Sequence, residues 1–266
     1  MSSLPPTEGE PVGDEAVLYD CTDHVVTVTL NAPDHRNALS AAVRDGLWQS
    51  FRRFASDPDA RIAIVTGSGD KAFCAGADLR EMATNVVGSP GRDYMPMIGH
   101  NLTVEKPVVA AVNGAALGGG FLLAQTADLV VASETATFGM PEVRWSRGAP
   151  WSVPLARMLH RRHWAELSLT GLPITAARAY EIGLVNRVVP SGELMAAARD
   201  LAECIAGNAP LTVAATLQMI RTSADMGETA AWAAADRIFE PVYESEDALE
   251  GPRAFREKRE PRWQGR

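Results

Sequence analysis

The run Lys106-Pro-Val-Val-Ala-Ala-Val-Asn-Gly-Ala-Ala-Leu-Gly-Gly-Gly-Phe121 constrains this chain more than any other stretch. Pro107 stands at the start of an apolar strand predicted over Val108 to Val112, where its missing N–H costs least. Asn113-Gly114 breaks the strand, Gly118, Gly119 and Gly120 follow, and Phe121-Leu-Leu-Ala124 predicts a helix. Glycines between a strand and a helix let the backbone come close to a bound group. The first N–H groups of the helix have no internal partner and lie at the positive end of its dipole, which suits an oxyanion or a phosphate. A Walker-type phosphate loop needs Lys-Ser or Lys-Thr after the glycines, and Phe121-Leu122 stands there instead. An apolar neighbour favours a developing oxyanion, because hydrogen bonds strengthen in a dry site. Simple packing glycines fit the same residues, so the run by itself leaves both readings open.

Around this run the chain alternates strands and helices. Val25 to Leu30 is a β-branched strand, and Asn31 to Arg36 is a turn. Ser40 is a candidate N-cap for a helix whose Val43, Leu47, Phe51 and Phe54 form a core-facing stripe. Asp57-Pro58 ends that helix, and Ile62 to Thr66 is a buried strand, so the start reads as a right-handed β-α-β crossover. Asp128 to Val131 is another strand, residues 134–150 read as irregular, and Trp151 to Trp164 and Thr175 to Tyr180 read as helices. Gly183 stops the last of these, and Leu184 to Val189 is short and β-like. Glu193 to Ala206, Leu211 to Ala224 and Glu228 to Glu250 complete the chain as three helices. Strands in the first half and helices in the second predict an α/β layered core with a helical C-terminal appendage.

The formal net charge is −8 with no dominant Lys/Arg block, which argues against nucleic acid as a partner. Cys21, Cys74 and Cys204 are scattered and form no metal or redox motif. No apolar run reaches transmembrane length, so no membrane is expected. Met1 to Glu15 is Pro/Gly/Glu-rich without an apolar h-region, and residues 1–15 are expected to be a disordered tail of a cytoplasmic protein. Gly67-Ser-Gly-Asp-Lys-Ala72 fits a dinucleotide fingerprint after a strand. No helical period follows, however, and no acidic residue closes a second strand.

An ordered set of segments resembles the crotonase, or enoyl-CoA hydratase/isomerase, superfamily. They are Lys71-Ala-Phe-Cys-Ala-Gly-Ala-Asp-Leu79, Lys106 to Phe121, Ala127-Asp-Leu-Val-Val-Ala132 and Phe138-Gly-Met-Pro-Glu142. Leu169-Thr-Gly171 with Gly183-Leu-Val185, and Phe255-Arg-Glu-Lys258, complete the match over roughly residues 20–260. The resemblance implies a crotonase-like ββα spiral core over residues 16–200 and a C-terminal helical trimerisation region over residues 201–266. It implies a homotrimer or a dimer of trimers. The C-terminal apolar residues, Leu211, Leu217, Trp232 and Phe239 among them, are candidates to pack on a neighbour or on their own subunit.

The resemblance also implies a site. Two backbone N–H groups, of Ala77 and Gly119, would hold a thioester carbonyl oxygen, and Glu142 would move the α-proton. By the same carry-over Arg36 lies near the phosphates of coenzyme A, and Ala38, Ala75 and Leu79 line its pantetheine and adenine. Arg80 stands where hydratases place a Lys near the phosphates, and Phe255 and Lys258 match the residues that reach the adenine and phosphate, often of a neighbouring subunit. Asp78, Leu122 and Pro141 are further expected substrate-binding residues, and Val143 and Trp145 are expected to dry the surroundings of Glu142. Hydratases of the family carry a second glutamate at the place of Leu122, and leucine cannot activate water. Ala149-Pro150-Trp151 also departs from the hydratases' usual Pro-Gly-x-Gly-Gly. Double-bond isomerisation with one glutamate is therefore the expected reaction. Hydration with a second carboxylate from Asp93, Glu81 or Asp78, and acyl-CoA binding with little activity, are the alternatives. The chemistry calls for no metal and no cofactor beyond the coenzyme A of the substrate.

Overall fold

The computed structural model describes residues 15–78 and 91–266. The expected tail up to residue 14, and Leu79, Arg80 and Glu81, lie outside the described residues.

Two sheets carry the fold. The larger runs β1 (Val17–Thr22), β2 (Val25–Leu30), β3 (Ile62–Gly67), β5 (Val108–Val112), β7 (Leu129–Ser133) and β10 (Arg187–Val189), in that spatial order. The smaller runs β4 (Ala72–Cys74), β6 (Ala115–Leu117), β8 (Thr137–Gly139) and β9 (Ile174–Thr175). Each of β3, β5 and β7 is followed within a few residues by its counterpart β4, β6 or β8 in the other sheet. The chain thus coils through both sheets three times, as the expected spiral requires. All pairings are parallel except β1 with β2 and β8 with β9.

The pleat divides the core. On β3, Ala63 and Val65 join the main core, which also holds Phe73, Phe121 and Phe138. Ile62 and Ile64 point the other way, onto the alanine stripe Ala198, Ala202 and Ala206 of a helix over Leu194–Ala206. The β2-to-β3 crossover is the helix α1 (Ala41–Ser56). Ser40 caps it by accepting from the Val43 N–H, and its four-residue stripe is fully buried. Lys106 closes its C-terminal end by donating to the carbonyls of Phe54 and Asp57, a cation placed where the helix dipole is negative.

Several expectations need correction. β1 was not expected. It pairs with β2 through a tight turn at Asp23 and His24, both at positive φ (51° and 67°), the handedness a two-residue hairpin demands. The predicted strand over Asp128 to Val131 starts one residue later and runs to Ser133, and the Asp128 carboxylate ties its start to neighbouring segments. It accepts the Val108 N–H at 2.9 Å and pairs with Arg221 at 2.8 Å. Residues 134–150 are not wholly irregular, since β8 and a 3-10 turn over Pro141–Trp145 lie there. The helix predicted over Trp151 to Trp164 is interrupted: Leu155–Met158 ends at extended Leu159, and His160 caps a new helix over Arg161–Thr170. The helix predicted over Glu228 to Glu250 is two, Glu228–Tyr243 and Glu246–Glu257. Pro241 weakens the last turn of the first, and the Ser245 hydroxyl caps the second by accepting from the Ala248 N–H.

Candidate functional site

The site forms where the first two turns of the spiral meet the helix α2 (Gly119–Thr126). A short parallel bridge, Leu39 with Ala77, joins the segment after β2 to the segment after β4. Leu39 N–H donates to the Gly76 carbonyl at 2.8 Å. That carbonyl and the Ala77 N–H belong to one trans peptide, so the Ala77 N–H points to the opposite side, away from Leu39. Gly119 opens α2, and its N–H has no acceptor inside the helix. The two segments approach closely: a Cβ on Gly76 would lie 2.7 Å from the Leu117 carbonyl oxygen and 3.5 Å from the Gly119 nitrogen. Gly76 also has φ +90°, so only glycine serves there without strain.

Asn37 holds this arrangement. It is fully buried at φ 52°, a left-handed conformation that asparagine tolerates. Its Oδ1 accepts the Ala32 N–H at 2.9 Å, and its Nδ2 donates to the carbonyls of Ser68 at 3.0 Å and Ala72 at 2.8 Å. The turn after β2 is thereby fastened to the turn between β3 and β4. Asn37→Ala is expected to cost about 3 kcal/mol in a denaturant titration, because it strips partners from buried groups of the main chain. A wild-type midpoint would show that the staple carries little.

Glu142 comes from the 3-10 turn that follows β8. Gly118 N–H donates to Gly139 at 3.0 Å, which brings that turn to the foot of α2. A Cβ on Gly118 would lie 3.1 Å from Glu142 Oε1, so the bare α-carbon is what lets the carboxylate in. Oε2 is buried and has no hydrogen-bond partner among the described residues. Burial pushes the Glu142 carboxyl above its ordinary value, against a smaller lowering by its own backbone N–H.

The expected source of this dryness is wrong. Val143 and Trp145 are exposed, Trp145 by 66%, and it is Gly118 that adjoins Oε1. Leu122, on the same helix face as Gly118, is 6% exposed and presents only hydrocarbon. Its N–H bonds to the Gly118 carbonyl at 2.9 Å. The segment Pro150–Ser152 lies against α2: Gln125 Nε2 donates to the Trp151 carbonyl at 3.2 Å, and the Phe121 and Trp151 rings meet edge to face. Pro150 offers no N–H to that space.

Other expected residues fall into three groups. Arg36, Ala38, Ala75 and Asp78 stand on the two bridged segments, with Arg36 exposed and the others half-buried. Ala75 N–H donates to the Arg36 carbonyl at 3.0 Å. Pro141, half-buried, starts the turn that carries Glu142. Phe255 and Lys258 are on the C-terminal helix instead, Phe255 being 87% exposed and Lys258 ending the helix at φ 52°. Asp93 is exposed, and its carbonyl accepts from Trp48 Nε1 at 3.2 Å. Met95 was not expected: it is 3% exposed, and its sulfur lies 3.7 Å from where a Gly119 Cβ would be. Nothing in the local sequence marks it, since it arrives there only through the fold.

Two backbone donors beside one desolvated carboxylate suit chemistry on a carbonyl compound whose α-proton must be moved. A profile of the enoyl-CoA hydratase/isomerase family matches residues 20–266. Enoyl-CoA hydratase EchA19 of Mycobacterium tuberculosis is 41% identical over 260 residues, which cover 94% of this chain and 96% of that protein. Mevalonyl-coenzyme A hydratase sidH of Aspergillus fumigatus is 38% identical, with 97% of each chain covered. The crystal structure of enoyl-CoA hydratase EchA1 from Mycobacterium marinum superposes with a TM-score of 0.87 at 36% identity, covering 95% of this chain and 100% of that one. The chain belongs to the enoyl-CoA hydratase/isomerase family, within the crotonase superfamily, and is an enzyme acting on acyl-CoA.

Proposed function

We propose that the enzyme moves the double bond of a 3-enoyl-CoA into conjugation, with Glu142 as its sole proton-transfer residue. One observation carries this reading: Leu122, one helical turn along α2 from the Gly118 that adjoins Glu142 Oε1, is buried hydrocarbon. Ala77 and Gly119 N–H groups take the thioester oxygen as it gains charge. Glu142 removes a proton from C2, giving a dienolate, and returns it to C4. The proton and the electron pair stay within the substrate, so no water and no second acid are consumed. Coenzyme A enters as part of the substrate, held at its phosphates by Arg36 and Arg80 and along its length by Ala38 and Ala75. Phe255 and Lys258 would serve a neighbouring subunit in a trimer or pair of trimers, a reading that the exposed Trp232, Leu249 and Phe255 support.

Hydration is the second reading, favoured by the hydratase names of the relatives. It needs a water held against the β-carbon. Leu122 and Pro150 provide neither base nor N–H for that water. Incubation with a trans-2-enoyl-CoA and, separately, with a 3-enoyl-CoA separates the two. Conversion of the 3-enoyl ester to the conjugated ester without mass change is expected. Gain of one water by the 2-enoyl ester, with no isomerisation, would overturn the proposal.

A further inference from the structure

We infer that Met95 is a positioning residue that seals the oxyanion donor of Gly119 from water, held there by a strap over residues 92–97. The inference rests on the reading of Gly119 as an oxyanion donor. Met95 and Leu39 together occupy the space beside the Gly119 α-carbon, both of them buried. A water there would compete with the substrate oxygen for the N–H, and the hydrogen bond would act in a medium of higher dielectric.

The strap is fastened as if its register mattered. Asn101 Nδ2 donates to the carbonyls of Arg92 at 2.7 Å and Met95 at 3.0 Å, and Asn101 Oδ1 accepts the Met97 N–H at 2.7 Å. One side chain thus fixes both sides of Met95. From α1, Trp48 Nε1 reaches the Asp93 carbonyl, and the Arg44 guanidinium lies 4.5 Å from the centre of the Tyr94 ring. The helix that carries the first crossover therefore also sets the height of Met95 over the glycine turn. Met95 has no group that exchanges protons or binds an ion. Its contribution is exclusion, and its thioether adapts to the irregular gap between Leu39 and the glycine.

The test uses hexanoyl-CoA labelled with carbon-13 at its carbonyl, a saturated ester that cannot isomerise. Isotope-edited infrared spectra give its carbonyl stretch free and bound to the enzyme. In wild type the band is expected to shift down on binding, as two hydrogen bonds polarise the carbonyl. Met95→Ala is expected to lose more than half of that shift and to lower kcat about tenfold with KM nearly unchanged, a fraction of what deleting an oxyanion donor costs. Met95→Leu, which keeps the volume, is expected to restore both. Asn101→Ala keeps Met95 but frees the strap and is expected to lose the shift as well, which keeps the test open if Met95→Ala does not fold. A wild-type band and wild-type kcat in Met95→Ala, or in Asn101→Ala alone, overturn the inference. Absence of any shift in the wild-type enzyme removes the oxyanion reading itself, and this inference with it.

Discussion

Glu142→Gln is expected to lower turnover of a 3-enoyl-CoA by about a thousandfold while leaving KM within a few-fold, the signature of a lost proton carrier. The amide fills the same space beside Gly118 but cannot take the C2 proton. Steady-state kinetics on one substrate decides it, and retained activity would remove Glu142 from the mechanism. The same carboxyl sets a pH profile. Burial raises its pKa above the ordinary 4.5, and the base works only when ionised, so kcat/KM should rise with pH through a limb lying above that value. Stability runs the opposite way. Between 4.5 and the raised value the native protein binds the proton that the unfolded chain has released, so stability falls as pH rises through that window. Above the window the native state still carries an unsatisfied, desolvated charge. Glu142→Gln, neutral at every pH, should therefore melt higher than wild type at neutral pH. The difference should vanish near pH 4, where the wild-type carboxyl is protonated in both states. Equal melting temperatures at neutral pH would mean that Oε2 is solvated and that the raised pKa has another origin.

How much of this was legible in the sequence depended on what each residue's role requires. Glycine positions are legible because their geometry excludes side chains: the run Gly118 to Gly120 and Gly76 stand where expected, at an interface of main chains. The stripe of α1 and its Ser40 cap follow from helical period and local hydrogen bonding. Three of the strands that build the spiral, β4, β6 and β8, have three residues each and cannot show a period. They are held in place by their neighbours in the second sheet. The drying of Glu142 was assigned to Val143 and Trp145 because they are close in the chain, but a 3-10 turn leaves both exposed and it is Gly118 that adjoins Oε1. Met95 and Asn101 lie more than 15 residues before Gly119 with no motif, and only tertiary packing reveals what they touch. The absence of a carboxylate at Leu122 was legible, and the structure adds that this side chain is buried one helical turn from Gly118.

Gly120→Ala is the substitution expected to damage the fold most. Gly120 is the second residue of α2, and a Cβ there would collide with the carbonyl oxygen of Cys74, and would lie 2.8 Å from both its carbonyl carbon and its Cβ. Cys74 is fully buried on β4, which pairs with β6. No flexible side chain can turn aside, so strand and helix must separate. Gly119→Ala is different, because its Cβ would meet the end of the Leu39 side chain, which can rotate. Gly192→Ala meets nothing within 4 Å and serves as a control expected to stay within about 0.5 kcal/mol of wild type. For Gly120→Ala a loss of about 4 kcal/mol or more is expected, seen as a melting temperature lower by roughly 10 °C or as failure to fold. Under the proposed mechanism any folded fraction should also be slow, because opening the β4–α2 contact draws the proposed donor Ala77, three residues after Cys74, away from the proposed donor Gly119, one residue before Gly120. A Gly120→Ala protein with the melting temperature of Gly192→Ala would show that the contact relaxes freely, and would sink the idea that one backbone approach sets both the packing of the spiral and the spacing of its two donors.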